Sequence, residues 1–99
     1  MENLERVKQF ARDLRKEDPR PAHEELGGES HAARALDKCR ATLLGWEGEY
    51  KFGCPMDQHL FQETGIDMEE FRSLVATGAD DQEMAEWIRS KTQAERSAR

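Results

Sequence analysis

Apolar residues recur at helical spacing in five places along the chain. Leu4, Val7, Phe10, Ala11 and Leu14 stand three and four apart, which predicts an amphipathic helix over Glu2 to Lys16. Projected at 100° per residue, Ala32, Leu36, Cys39 and Leu43 share one face of a second helix, His31 to Leu44. Ser30 is its expected N-cap and Gly45 its expected stop. A third helix starts at Cys54-Pro55, because a proline at the first helical position gives up an N–H that would be unsatisfied there anyway. Met56, Leu60 and Phe61 are expected to face inward, and Gly65 to end the helix. Two capping boxes follow. Asp67 with Glu70 opens a helix with Met68, Phe71, Leu74 and Val75 inward, ending at Gly78. Asp80 with Glu83 opens the last, with Met84, Trp87 and Ile88 inward.

The segments between these patterns break periodicity. Glu17 to Glu29 carries Pro19 and Pro21, which stop a helix and stiffen an extended run, and Gly27-Gly28, which marks a turn. Trp46 to Phe52 alternates briefly, but no second alternating run offers itself as a partner; it reads as an ordered loop whose aromatics plug the core. The expected fold is therefore all-α: a compact bundle of four to five short helices around His31 to Leu44, with one irregular aromatic loop. The chain reads as a single domain over 1–99, with an N-terminal helix over 1–16, a Pro/Gly connector over 17–29, a helical core over 30–92 and a frayed tail over 93–99.

Polar residues that interrupt the apolar faces are the candidates for chemistry. Arg40 flanks the face of its helix beside Ala33 and Leu44, where a guanidinium would be partly buried and want a carboxylate. Asp57 falls between Leu60 and Phe61, inside the apolar arc of the next helix; it gains from the helix dipole but still needs a partner if buried. These two are expected to pair. Cys54, at a helix N-terminus, is placed where free N–H groups stabilise a thiolate, though the charge of Asp57 opposes this and His59 projects to the polar side. Arg40, Lys38 and Tyr50 could hold a small anion beside the third helix. His31, Cys39, Cys54, Asp57 and His59 could donate to a metal, but none of their spacings is that of a recognisable metal site, and His23 lies in the connector. No metal or cofactor is expected.

Charge narrows the function classes. The 99 residues are 36% apolar and 36% charged, a balance that fits a small globular domain with charged helix faces. Residues 1–44 hold nine acids and nine bases, residues 45–86 eleven acids against Lys51 and Arg72, and residues 87–99 four bases and one acid. That acidic body disfavours nucleic acid, which needs a basic patch. No apolar run approaches the roughly 20 residues that span a bilayer, so no membrane association is expected. The start, MENLERVKQF, has acids where a signal peptide needs bases and an apolar block, and the expected compartment is the cytoplasm. Two cysteines with fourteen residues between them match neither a zinc spacing nor a redox pair, and free thiols are expected.

Leu26-Gly27-Gly28, the run LDKCRATLLGWEGEY from Leu36 to Tyr50, CPMDQHLF from Cys54 to Phe61 and TGID from Thr64 to Asp67 occur in an order and spacing that resemble a small bacterial family, domain of unknown function family 5069. The likeness covers about residues 13–88. It implies a compact single domain and supplies no activity. The chain departs from the family pattern at Glu29-Ser30-His31-Ala32, where the pattern has larger apolar residues, at Cys39, often alanine, and at Gly53, often asparagine. Arg40, Tyr50, Cys54 and Asp57 match it. The functional expectation is a non-enzymatic cytosolic module that binds a protein partner or regulates through contact; the alternative is a small-anion or thiol site around Arg40 and Cys54, drawing on Lys38, Tyr50 and Asp57.

Overall fold

Alanine governs the middle of the molecule. Ala32, Ala33, Ala35 and Ala41 are at most 1% exposed, and side chains this small let neighbouring elements close on helix α2 (Ala32–Leu44) from several sides. The computed structural model describes residues 2–97. Around α2 stand α1 (Leu4–Phe10), a hairpin of β1 (Glu25–Leu26) and β2 (Glu29–Ser30), α3 (Pro55–Thr64), α4 (Met68–Ala76) and α5 (Asp81–Ser97). Four helices about α2, five in all among the described residues, make the expected all-α bundle, with one two-stranded hairpin added.

Local chemistry sets most of the boundaries. Pro55 occupies the first position of α3, with Cys54 at its cap, and Gly65 closes it in the left-handed region at φ 73°. Gly45 does the same for α2, its N–H donating to the Ala41 and Thr42 carbonyls. Asp67 caps α4 through the Glu69 and Glu70 N–H groups. At α5 the box is reciprocal: the Asp80 N–H donates to Glu83 Oε1 at 3.0 Å, and the Glu83 N–H to Asp80 Oδ1 at 2.8 Å.

Three boundaries differ from expectation. Helix α1 stops at Phe10, not Lys16, because Ala11 turns extended and Asp13 Oδ1 accepts from the Arg15 N–H two residues on, a local turn that competes with the helix. Leu14 still reaches the core, at 5% exposure. Ser30 is not a cap; it pairs with Glu25 across the hairpin, and His31 takes the cap position with φ 72°. The Gly27-Gly28 loop has φ of 64° and 85°, which suits a two-residue hairpin turn. A Cβ on Gly27 would lie 2.8 Å from the Ala85 carbonyl, so glycine is also what lets the hairpin close against α5. Helix α5 continues through Ser97, into the segment read as a fraying tail; residues 98 and 99 lie outside the described residues.

The core centres on aromatics. Phe52, from the loop, stacks on Phe71 at 5.9 Å between centroids and meets Phe61 edge-on at 6.0 Å. Phe61 and Phe71 are 5.1 Å apart, and Met84, Ile88, Leu36 and Val75 close around them. Trp87 touches Phe71 but is only half-buried, and Met56, expected inward, is 60% exposed.

Candidate functional site

A helix buried on all sides must have its charges answered inside the protein. Helix α2 carries Asp37, Lys38 and Arg40, all at most 3% exposed. Lys38 and Arg40 lie two residues apart, about 200° around the helix, so they face opposite neighbours. Each anchors a separate cluster.

Arg40 reaches α5. Its Nη1 donates to Asp81 Oδ1 at 2.8 Å and its Nη2 to the Ala79 carbonyl at 2.9 Å, while the guanidinium lies over the Phe10 ring. Arg20 joins from the connector, donating through Nε, Nη2 and its backbone N–H to Asp37 and through Nη1 to Asp81 Oδ2 at 2.8 Å. Burial pushes the Asp81 carboxyl up, but the hydrogen bonds from Arg20 and Arg40 outweigh it and hold the group below its ordinary range. Arg40 therefore pairs with Asp81 and not, as expected, with Asp57.

Lys38 reaches α3. Its Nζ lies 2.9 Å from Asp57 Oδ2, which also accepts from the Gly53 N–H at 2.8 Å, and Asp57 Oδ1 is 2.7 Å from His31 Nε2. Asp57 is fully buried. Burial raises its carboxyl, yet the hydrogen bonds from Lys38, Gly53 and His31 bring it below its usual value. The same ammonium donates to Cys54 Sγ at 3.3 Å. Because the ionised carboxylate only accepts, His31 Nε2 is the donor, and in the neutral ring Nδ1 keeps its lone pair. That Nδ1 is buried and has no hydrogen-bond partner among the described residues.

His31 also lines a groove of about 540 Å³ between the hairpin and α3, with Glu29, Met56, His59, Leu60 and Glu63 among its walls. Such a volume suits one or two side chains or a small molecule. His59 Nε2 and Glu63 Oε1 stand 3.3 Å apart on the exposed rim.

Of the residues singled out in the sequence, Lys38, Cys54 and Asp57 come together. Arg40 lies in the other cluster, and Tyr50 is elsewhere again, its hydroxyl donating to Asp18 and its ring beneath Arg34. Cys39 is sealed in the core, where burial pushes its thiol up to about 12. Among the described residues, no three His, Cys, Asp or Glu side chains are grouped to hold a metal ion, and no helix is long and apolar enough to cross a membrane. His31 is the residue least visible in the sequence: its residue type suggests only a metal donor, and its left-handed backbone, seated by its N–H on the Ala22 carbonyl, has no signature in spacing.

No curated protein matches the chain. The family model described as "Domain of unknown function (DUF5069)" matches residues 16–99, most of the chain, and the order of blocks around both buried clusters lies within that match. This protein belongs to the DUF5069 family.

Proposed function

We propose that the domain is a non-enzymatic binding module that engages a protein partner through the groove between the hairpin and α3. The observation that carries this reading is Met56: a large apolar side chain on a core-facing helix stands 60% exposed at a groove that His31 also lines. The interior charges elsewhere support it, since Arg20, Arg40, Asp37, Asp81, Lys38 and Asp57 are engaged with one another rather than turned toward a reactant. Both thiols are unpaired, which supports a reducing compartment such as the cytoplasm. A photo-crosslinking phenylalanine analogue in place of Met56, introduced in the native host, is expected to give a light-dependent adduct with a discrete protein, whereas the same analogue in place of the exposed Glu69 on α4 gives none. Equal adducts at both positions, or none at position 56, would defeat the reading.

A second reading has one observation in its favour. The Lys38 ammonium lies 3.3 Å from Cys54 Sγ at the start of α3, an arrangement that could support thiol chemistry. The small-anion alternative at Arg40 has less support, because that guanidinium is taken by Asp81 and the Ala79 carbonyl.

A further inference from the structure

We infer that Cys54 is a modification site: a hydroperoxide oxidises its thiol, and Lys38 Nζ then closes on the sulfur to form a covalent, thiol-reversible link between α2 and the start of α3. The inference rests on the contact of Lys38 with Cys54, the second of the two readings, and not on the docking groove.

What sets this sulfur apart is the fate open to its oxidised form. A thiol attacked by a peroxide becomes a sulfenic acid, which is then consumed by a second thiol, by a backbone nitrogen or by further oxidant. The first exit is closed. The chain's other cysteine, Cys39, is 1% exposed in the core with its thiol pushed up to about 12, so at neutral pH it supplies no thiolate to attack. The second exit is closed by sequence, since the next backbone nitrogen belongs to Pro55 and carries no hydrogen. The nucleophile within reach is an amine. Lys38 Nζ stands 3.3 Å from Cys54 Sγ, inside the roughly 3–3.5 Å at which two reacting atoms are poised. The Lys38 side chain is 4% exposed, so burial holds the nitrogen beside the sulfur and away from water. Cys54 is only half-buried, which gives a molecule as small as a peroxide the access that Cys39 denies it.

The atoms balance in two steps. In the first, the peroxide O–O bond breaks, one oxygen passes to the thiol to give the sulfenic acid, and the other leaves as water or an alcohol. In the second, the Lys38 amine attacks Sγ, the S–O bond breaks, and the hydroxyl departs with one nitrogen proton as water, leaving an S–N bond. Sulfur loses two electrons and the peroxide gains them. Two equivalents of a small thiol reverse the link, restoring thiol and amine and departing as a disulfide. The nitrogen attacks only as the free amine. Among the described residues, the ionisable groups against it are Cys54 and Asp57, with His31 on the opposite oxygen of Asp57. Asp57 Oδ2, at 2.9 Å, favours the ammonium, so the second step is slow and its yield rises in mildly alkaline medium. Closing the link also takes the ammonium from Asp57, which keeps the Gly53 N–H and His31.

The test exposes the intact chain to hydrogen peroxide, with and without dimedone, which traps sulfenic acid. The products are unfolded, treated with iodoacetamide, cut with trypsin and mapped by mass spectrometry. The expected product has lost two hydrogens, joins the peptide bearing Lys38 to the one bearing Cys54, and resists trypsin after Lys38. It still carries the iodoacetamide group on Cys39, which separates it from a disulfide, and dithiothreitol restores both parent peptides. Lys38→Arg keeps a cation for Asp57 but offers a poor nucleophile; it should abolish the joined peptide and raise dimedone capture at Cys54 severalfold. If that variant does not fold, the wild-type map decides alone. A Cys39–Cys54 disulfide, a joined peptide that retains an oxygen, or dimedone capture at Cys54 with no joined peptide in the untrapped arm would each overturn the link and leave Cys54 an oxidisable thiol. A Cys54 that yields neither adduct nor oxide would defeat the thiol reading as well.

Discussion

The two faces of α2 solve one problem in different ways. On the α5 side, two guanidiniums and two carboxylates interlock; Arg40 is 2% exposed, and the outlet to water is Asp81, whose side chain is 48% exposed. On the α3 side, one fully buried carboxylate serves an ammonium, a backbone N–H and an imidazole, and the imidazole is left with a buried nitrogen that has no hydrogen-bond partner among the described residues. The first arrangement is closed on itself and solvent-relieved. The second is built around a single acceptor and is incomplete. A structural brace needs only the former; a polar group that costs stability when unsatisfied is more often retained where something else can satisfy it.

The sharpest way to break the comparison is to remove one charge from each cluster and ask whether the losses interact. Asp57→Ala strands Lys38 and His31 in the interior, and we expect it to destabilise by about 3–5 kcal/mol in urea melts. Arg40→Ala should cost less, about 2 kcal/mol, because Asp81 keeps Arg20 and is half in water, leaving mainly lost packing on Phe10. Since the two side chains belong to clusters on opposite faces of α2, the double mutant should lose the sum, within roughly 0.5 kcal/mol. A double mutant that loses clearly less than the sum would mean that the clusters communicate through α2.

A smaller effect follows from pH. Asp57 and Asp81 are both held below their ordinary carboxylate values in the fold. Each therefore binds its proton more readily in the unfolded chain, and its contribution is fully present above about pH 4, the unfolded value, and lost as pH falls through the folded value. Stability should decline on acidification below about pH 4. Asp57→Asn should flatten that decline more than Asp81→Asn does, because Asp81 is screened by water and Asp57 is not. Equal flattening by the two variants would place both clusters in the same environment.

What was legible in the sequence is what acts locally. Pro55 at a first helical position, the Asp67 cap, the Asp80–Glu83 box and the closing glycines each depend on groups within four residues, and each stands where expected. Burial of Cys39 and Asp57 also followed from helical projection, which needs only the helix's own period. Partnerships across the chain did not follow. Arg40 and Asp57 looked matched because they occupy consecutive helices, but Asp81, 41 residues from Arg40, read as part of a helix start and carried no sign of a buried partner. Met56 projects onto the core face, yet at the second position of α3 it overhangs the groove while Asp57 takes the interior. The hairpin has strands of two residues, too short for any alternation to show, and so Ser30 passed for a cap. His31 falls in the run where the chain departs from the family pattern, and its spacing offers it only as a metal donor, not as a partner of Asp57.

The last and smallest effect tests whether Lys38 serves Asp57 or Cys54. Its ammonium stands 2.9 Å from the carboxylate and 3.3 Å from the sulfur, and the full charge of the carboxylate makes it the stronger claimant. Iodoacetamide labelling at neutral pH should leave Cys39 untouched, because that thiol is buried and pushed up to about 12. Cys54, half-buried, should react within about threefold of a free thiol peptide. If Asp57 is what holds the ammonium's charge away from the sulfur, then Asp57→Asn, checked by circular dichroism to be folded, should speed labelling of Cys54 severalfold while Cys39 stays silent. A wild-type Cys54 that already reacts more than about tenfold faster than the free thiol would reverse the assignment: Lys38 would belong to the sulfur, and the thiol reading would overtake the binding module.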